Sequence, residues 1–386
     1  MIAPQHRVYA AFYLFALTIG GLLSRFADLQ VELGLSEGPF GMVVIGWSVG
    51  MLFAMTFCTP IIEWLGVKRT VIITITVSAL CQLLAAASGM PVAVFGIMVF
   101  GGVMVGMLEI VLNVEADRTE AAIGRRIMNR AHSFWSLGFF SSAVIGGLMR
   151  QFEVSMVIHL ALMLPVLAGG AFIAMRGFTP APRRHPKGSK QKTPVFAIPT
   201  PGILALCAVA LSASLVEGAG FDWSVIYMRD VFESEPFVSS MSLIAISASI
   251  WLARVGADSV VDRFGARQVT YFLLCIATAG LLLVGFAPTP ELAILGFALM
   301  GVGASAIYPL VVSEAAGRTD RPAEINVAAL GQTAFLVFFL GPPLLGFVAE
   351  HFGNRASFLV ILPMVLLSFV FTHRMSTRPA AKPAEA

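Results

Sequence analysis

Twelve long apolar runs constrain the fold of this chain more than any other feature of its sequence. Each run is close to the ~20 residues that an α-helix needs to cross the hydrocarbon core of a bilayer. Only 12% of the 386 residues are charged, against roughly 25% in soluble domains. We therefore expect an all-α membrane protein with twelve transmembrane helices. The runs lie approximately at residues 8–28, 39–63, 70–88, 91–114, 129–149, 155–175, 200–222, 237–258, 268–287, 290–312, 326–349 and 355–372.

The positive charges between the runs predict the orientation of the chain. With a cytoplasmic amino terminus, the inner segments carry twenty Lys and Arg residues, and the outer segments carry three, Arg150, Arg229 and Arg355. Loops rich in Lys and Arg stay on the cytoplasmic side, so we expect both termini to be cytoplasmic. The first run lacks a small-residue cleavage site and is interpreted as a retained helix. The four cysteines lie in apolar runs without CxxC spacing and are interpreted as packing residues.

The chain repeats itself at an offset of about 200 residues. The tripeptide Arg118-Thr119-Glu120 returns as Arg318-Thr319-Asp320. Such self-similarity predicts two pseudo-symmetric halves of six helices each. We place the first half at 1–176, a cytoplasmic linker at 177–199, the second half at 200–373 and a cytoplasmic tail at 374–386. Three further pairs are separated by 199 residues: Glu63 and Asp262, Gly66 and Gly265, Glu115 and Glu314.

Polar side chains inside the fourth and fifth runs point to a solute path. Glu109 lies deep in the fourth run, and Asn113 follows one helical turn later on the same face. A carboxylate in hydrocarbon is costly unless it is protonated, paired or next to a water-filled cavity. His132 and Trp135 begin the fifth run and also share a face. The alternatives are a permanently protonated structural carboxyl for Glu109 and a helix-end histidine bonded to loop carbonyls for His132.

The seventh run offers a second polar group. Glu217 is deep enough to face a cavity, whereas Asp222 and Trp223 lie near the outer interface. Trp223 is either a membrane-belt anchor or, with Trp135, a platform on which the apolar face of a sugar ring stacks. Asp222 is included with the residues predicted to bind the solute.

The first run ends in an acid and a base, Arg25 and Asp28. This pair is either an ordinary snorkelling pair at the outer interface or closes the outer mouth of a cavity. In the second case Asp28 is a further proton or solute group, and Arg25 binds solute. Tyr308 and Gln332 are also predicted to line the cavity.

Charged residues at the inner ends of the runs are predicted to form a cytoplasmic gate. The alternative is that they are ordinary interfacial charges. Arg254, near the inner end of the eighth run, either belongs to this gate or faces the solute. The predicted gating residues are Glu63, Lys68, Arg69, Glu115, Arg118, Arg254, Asp262, Arg263, Glu314 and Arg318.

Two loops resemble the signature G-x-x-x-D-R-x-G-x-R-R of the major facilitator superfamily. They are residues 59–69 and 258–267, which follow the second and eighth runs. In that family the acid caps a neighbouring helix and the basic groups hold the cytoplasmic gate. The resemblance implies the major facilitator fold. The first copy departs from the pattern at Thr59, Glu63 and Trp64, and the second at Asp258.

Motifs in four runs narrow the resemblance. Glu109-x-x-x-Asn113 is similar to the E-x-x-x-N of fucose–proton symporter relatives, and residues 132–138 are similar to their Q-x-F-N-S-L-G. A little-characterised bacterial branch has N-V-E, H-x-F-x-S-L-G, E-G-x-x-x-D-W and G-P-P-L-L-G, which match residues 113–115, 132–138, 217–223 and 341–346. The resemblance implies that Glu109 takes up and releases a coupling proton.

The sequence excludes several function classes. It has no Walker loop, H-E-x-x-H motif, metal-spaced Cys/His cluster or basic-aromatic stripe for nucleic acid. We therefore predict a secondary transporter of the bacterial inner membrane, without cofactor or metal, that works as a monomer. The first hypothesis is proton symport of a small polar solute such as a sugar or polyol. The alternatives are a proton-coupled exporter of sugars or amphipathic compounds, and a transport-dead sensor or intramembrane enzyme.

Overall fold

A computed structural model describes residues 3–125, 127–182, 197–321 and 323–375. Within these ranges the regular structure consists of fifteen α-helices, without a strand. The predicted all-α architecture is confirmed. The helices are α1 Pro4–Leu23, α2 Phe26–Glu32, α3 Glu37–Phe57, α4 Thr59–Ser88, α5 Pro91–Ile123, α6 Met128–Gln151, α7 Met156–Ala174, α8 Pro201–Phe232, α9 Pro236–Phe264, α10 Ala266–Phe286, α11 Pro290–Ala304, α12 Ile307–Ala316, α13 Ala323–Phe352, α14 Asn354–Leu359 and α15 Leu362–Thr372.

These helices supply the twelve expected membrane crossings. Eleven segments in the described ranges are long and apolar enough to cross a membrane, and three of them are pairs of helices: α1 with α2, α11 with α12, and α14 with α15. The twelfth crossing is α6, which has 24 residues. It is more polar than the other crossings because it contains His132 and four serines. The most polar crossing thus carries residues that the sequence predicts to face solute.

The chain divides into two compact units. Unit 1 comprises Met1–Gln191 and Glu235–Ile244, and unit 2 comprises Lys192–Ser234 and Ala245–Ala386. In unit 1, α1 packs on α6 and α5 packs on both α3 and α4. In unit 2, α8 packs on α13 and α15, and α10 packs on α11. The helix α9 begins in unit 1 and continues in unit 2, so one boundary falls inside a helix.

Two crossings are broken at a serine. In the first crossing, Ser24 donates to the carbonyl of Gly21 (2.9 Å) and α2 begins after Arg25. In the tenth, Ser305 donates to the carbonyl of Val302 (2.7 Å) and α12 begins after Ala306. Arg25 and Ala306 have nearly the same backbone angles, with φ of −114° and −115°. Broken helices inside a membrane free backbone carbonyls, which are tolerated where protein groups bind them.

The loop repeat is visible in the backbone. Gly66, at which α4 is kinked into two helical parts, has φ 73° and ψ 161°, and Gly265, directly before α10, has φ 82° and ψ 152°. A positive φ with this extended ψ is accessible to glycine and strained for other residues. The two loops, 199 residues apart, therefore turn in the same way before the helix that follows each of them.

Candidate functional site

The polar centre of unit 1 is the pair formed by Glu109 and Asn113 on α5. The Asn113 amide donates to Oε1 of Glu109 at 2.8 Å and to its backbone oxygen at 2.9 Å. Both residues are half-buried. The one-turn spacing predicted that they share a face, and the structure joins them directly. The amide orients the carboxyl without adding a charge beside it.

The aromatic residues of α6 lie against α1. His132 meets the ring of Phe12 edge-on, with centroids 5.2 Å apart. Trp135 stacks on Phe139 at 5.6 Å and meets Phe15 edge-on at 6.5 Å. One face of the Trp135 indole is therefore covered by Phe139. His132 and Trp135 are both half-buried.

Arg25 and Asp28 belong to a buried ion-pair cluster in unit 1. Nε of Arg25 lies 2.5 Å from one carboxylate oxygen of Asp28, and Nε of Arg150 lies 3.0 Å from the other. Arg25 also donates to the carbonyl of Val154 (2.9 Å). Arg25 is only 4% exposed and Asp28 is half-buried, so the alternative of an ordinary snorkelling pair at the interface does not hold for Arg25. Nη2 and Nε of Arg25 thus face protein acceptors, whereas its Nη1 is buried without a hydrogen-bond partner among the described residues.

In unit 2 the structure joins Glu217 on α8 to Arg254 on α9. Nη2 of Arg254 lies 3.2 Å from Oε1 and 3.3 Å from Oε2 of Glu217. Nε of Arg254 donates to the carbonyl of Ser305 (2.9 Å), at the break between α11 and α12. Arg254 is predicted either to belong to the gate or to face the solute, and its ion pair with Glu217, a residue predicted to bind solute, favours the second alternative.

Two other residues of α8 differ from each other in burial. Asp222 is half-buried, whereas Trp223 is fully buried in unit 2. The predictions of a membrane-belt anchor and of a stacking platform both need an accessible indole, so both are wrong for Trp223 in this conformation. The residue packs because α8 is covered by α11, α12, α13 and α15. Tyr308, the second residue of α12, is half-buried just after the break.

Gln332 holds the end of the linker. Its Oε1 accepts the backbone N–H of Ala197 (2.9 Å), a residue that is itself buried. Arg321 donates to the carbonyl of Ile198 (2.9 Å). A buried backbone N–H needs an acceptor, and Gln332 supplies it. Gln332 thus contacts the linker in this conformation, and its role as a solute ligand stays a prediction.

Asp320 forms hydrogen bonds with residues just after the linker and near the start of α13. Oδ2 accepts the hydroxyl of Thr200 (2.9 Å), and Oδ1 accepts the amide of Asn326 (3.0 Å). Nε of Arg318 lies 3.3 Å from Oδ1. Hydrogen bonds from Thr200 and then Asn326 lower the pKa of Asp320 to about 2. Arg318, one of the predicted gating residues, thus forms an ion pair with Asp320.

The other predicted gating residues fall into three groups by burial. Glu115 is 2% exposed, and its Oε1 accepts the backbone N–H of Ala181 (2.8 Å), so it holds the beginning of the linker. Arg118 and Glu314 are half-buried. The exposed group consists of Glu63, Lys68, Arg69, Asp262 and Arg263.

Three functional candidates escaped the sequence analysis. Arg150 is one of the three positive residues in the outer segments. An arginine on the side that carries few positive charges indicates a specific partner, which here is Asp28. Gln82 bonds the N–H of Leu22 (3.1 Å) and the carbonyl of Thr18 (2.7 Å). His159 is fully buried in α7. Gln82 and His159 are polar residues inside apolar runs, and that pattern could have identified them.

The chain matches the model of a known family of membrane proteins. The family model described as "Major Facilitator Superfamily" matches residues 8–313 and 257–386. The chain belongs to the major facilitator superfamily. It is therefore a multi-pass membrane transporter rather than an enzyme, as the sequence predicted.

Individual relatives extend this result. This transporter is 27% identical over 364 residues to the uncharacterized transporter y4wD of Sinorhizobium fredii, which covers 94% of this chain and 95% of the relative. Its fold is similar to that of the nucleoside transporter NupG, with a TM-score of 0.72, 16% identity and coverage of 97% and 99%. It is also similar to the E. coli fucose:proton symporter FucP, with a TM-score of 0.65, 16% identity and coverage of 97% and 99%.

Proposed function

We propose that this major facilitator protein is a proton-coupled symporter that imports a small polar solute by alternating access. A sugar, a polyol or a related hydroxylated compound is the first class to test. The observation that carries the proposal is the carboxyl–amide pair of Glu109 and Asn113 in the middle of α5. The named cargoes of the two structural relatives, nucleoside for one and fucose with a proton for the other, motivate the panel of solutes.

Charge balance gives Glu109 the role of proton carrier. A carboxyl bonded to a neutral amide gains or loses a proton without leaving an uncompensated cation beside it. Protonation removes a charge that is costly to carry through a low-dielectric interior. The protonated, solute-loaded protein then converts between its open states, and release of the proton resets the cycle. Asn113, His132 and Trp135 provide hydrogen bonds and an aromatic edge for the solute.

The proposal places both termini in the cytoplasm of a bacterium and the transporter in the inner membrane, as a monomer. The basis is the excess of Lys and Arg in the inner segments. Glu115, Arg318 and Asp320 then lie at the cytoplasmic end, where they hold the two ends of the linker.

The test measures proton movement into lightly buffered vesicles that contain the purified protein. Sugars, polyols, nucleosides, amino acids and organic acids are added singly, with Glu109→Gln and the exposed-site control Glu291→Gln. We expect external alkalinisation with at least one hydroxylated solute, at least tenfold slower in Glu109→Gln and unchanged in the control.

Two outcomes would contradict the proposal. Proton flux opposite to solute flux would make the protein an exporter. Undiminished proton-coupled uptake by Glu109→Gln would make Glu109 a structural residue.

A further inference from the structure

We infer that Arg254 binds a carboxylate of the transported solute and that Glu217 is the counter-ion which this carboxylate displaces. The inference rests on the proposed function, because it concerns the solute of the same transporter. It narrows the solute from hydroxylated compounds in general to those that also carry a carboxylate, such as sugar acids.

Arg254 makes contacts of two different kinds, one with a backbone carbonyl and one with a carboxylate. The Ser305 carbonyl accepts Nε at 2.9 Å, whereas both Glu217 oxygens share Nη2 at 3.2 and 3.3 Å. Charge-assisted N–H···O bonds are typically about 2.7–2.9 Å long, and an arginine fork can bind a carboxylate through two nitrogens. The backbone carbonyl at the helix break thus fixes the guanidinium, while its carboxylate partner is held loosely. Exchange of that partner does not require the arginine to move.

The ion pair is also accessible. The side chains of Arg254 and Glu217 are 19% and 17% exposed, respectively. Glu217 is the seventeenth residue of the 32-residue helix α8, so its side chain lies far from both helix ends. Arg254 lies nearer the inner end of its apolar span, Pro236–Ala257, and pairs with Glu217 from there. A carboxylate at the depth of Glu217 marks a solute pathway by default, because it would otherwise be expensive to keep there.

Several titratable side chains lie on the helices around this pair. Of the helices packed on α8, α15 carries no titratable side chain, and α11 and α14 carry theirs in the first turn. The other titratable side chains on α8, α9 and the helices packed on α8 are Cys207, Asp222, Tyr227, Arg229, Asp230, Asp262, Arg263, Glu291, Tyr308, Glu314, Glu350, His351 and Arg355 among the residues whose side chains are described.

Exchange at Arg254 links the solute to a proton. When a solute carboxylate takes the guanidinium, Glu217 is left as a second anion beside one cation. A proton from water on Glu217 restores neutrality, and no covalent bond of the solute changes. One proton therefore enters with each carboxylate, and binding is stronger at lower pH.

The test compares matched neutral and acidic solutes on the purified, full-length protein. Glucose is paired with gluconate and glucuronate, and glycerol with glycerate, in thermal-unfolding measurements at pH 5.5 and pH 7.5. We expect at least one acid to raise the unfolding midpoint, more strongly at pH 5.5, and its neutral partner to leave it unchanged. A neutral partner that binds as well as its acid, or a panel in which no acid binds, would overturn the inference.

Variants of the pair separate anion binding from folding. Glu217→Gln is expected to bind the acid as well as or better than the parent and to lose the pH dependence. Arg254→Gln is expected to lose binding, and Arg254→Lys, which keeps the charge without the fork, to weaken it at least tenfold. Arg229→Gln, near the end of α8, is the control and leaves binding unchanged. If Arg254→Gln fails to fold, unchanged acid affinity in Arg254→Lys still refutes the inference.

The inference and the proposed function fail in different ways. Acid binding that needs Arg254 and is stronger at pH 5.5, but is not accompanied by proton movement across the vesicle membrane, would refute symport alone. Proton-coupled uptake of a neutral solute, abolished in Glu109→Gln, would refute the role of Arg254 alone.

Discussion

Three carboxyl groups inside the described helices have partners of different charge. Glu109 has the amide of Asn113, Glu217 has one guanidinium, and Asp28 has two. Protonation of Glu109 creates no orphan cation, whereas loss of the charge on Asp28 leaves Arg25 and Arg150 to repel each other. The charge of the partner therefore decides the role of each carboxyl more than its depth does. Glu109, with a neutral partner, is suited to carry a proton, and Asp28, with two cationic partners, is suited to stabilise the structure.

Replacement of Asn113 by Ala removes the donor to the Glu109 carboxyl. A hydrogen bond to a charged or ionisable group contributes about 1.5–3 kcal/mol, so we expect solute uptake to fall roughly 10- to 100-fold. Initial rates of uptake in vesicles test this. The half-buried position predicts a normal folded yield, and Asn113→Ala with full uptake would show that the amide is dispensable.

Replacement of Asp28 by Asn should cost stability. Loss of one partner from a buried ion pair costs about 3–5 kcal/mol, and this carboxylate serves two arginines. We expect a clear fall in the unfolding midpoint of the detergent-purified protein. Glu32→Gln, an exposed acid on the same helix α2, serves as control. Equal midpoints for the two variants would show that the cluster is not stabilising.

At the scale of helices, small residues let α3 and α5 touch through their backbones. A Cβ atom on Gly102 would lie 2.1 Å from the carbonyl oxygen of Trp47, and one on Gly50 would lie 1.9 Å from that of Val99. Close approach of this kind is how helices associate in lipid, where burial of apolar surface provides little driving force. The α3–α5 contact therefore depends on these glycines.

Gly102→Ala should separate α3 from α5. Overpacking of a tight contact costs about 1–3 kcal/mol, and backbone atoms cannot rotate away as a side chain can. We expect a lower unfolding midpoint and a lower yield of monodisperse protein. Gly96→Ala is the matched control on α5, because its Cβ would meet nothing within 4 Å. The packing argument fails if the two variants are equally stable.

At the scale of the whole molecule, the sequence predicts the crossings better than their contacts. Hydropathy identifies twelve crossings because hydrocarbon demands apolar length, and the α5 pair follows from one-turn spacing. The Glu217–Arg254 pair and the burial of Trp223 depend on how each helix is rotated about its axis, which apolar runs leave undetermined. The contact of Gln332 with Ala197 depends on the path of the linker. Residue spacing along one helix therefore predicts contacts within that helix. Contacts between helices are not determined by spacing and are seen only in the structure.

We expect that Asp320 does not contribute to the pH dependence of solute uptake. Its folded pKa of about 2 lies below the ordinary value of 3.8, so any stabilisation is present above about pH 4 and is lost as the pH falls towards 2. Asp320→Asn should therefore keep the shape of the pH profile of uptake between pH 5 and 8, measured in vesicles. A profile that changes shape would mean that Asp320 titrates in this range.

The matching turns at Gly66 and Gly265 also bear on the origin of the chain. If a gene for one six-helix ancestor was duplicated and fused, both descendants inherited the same turn. The flanking side chains have since diverged, with Trp64 in one copy and Arg263 in the other. The glycine stayed because a side chain at that φ is strained. What descent preserved in these loops is thus a backbone conformation, and the chemistry around it was free to specialise in each half.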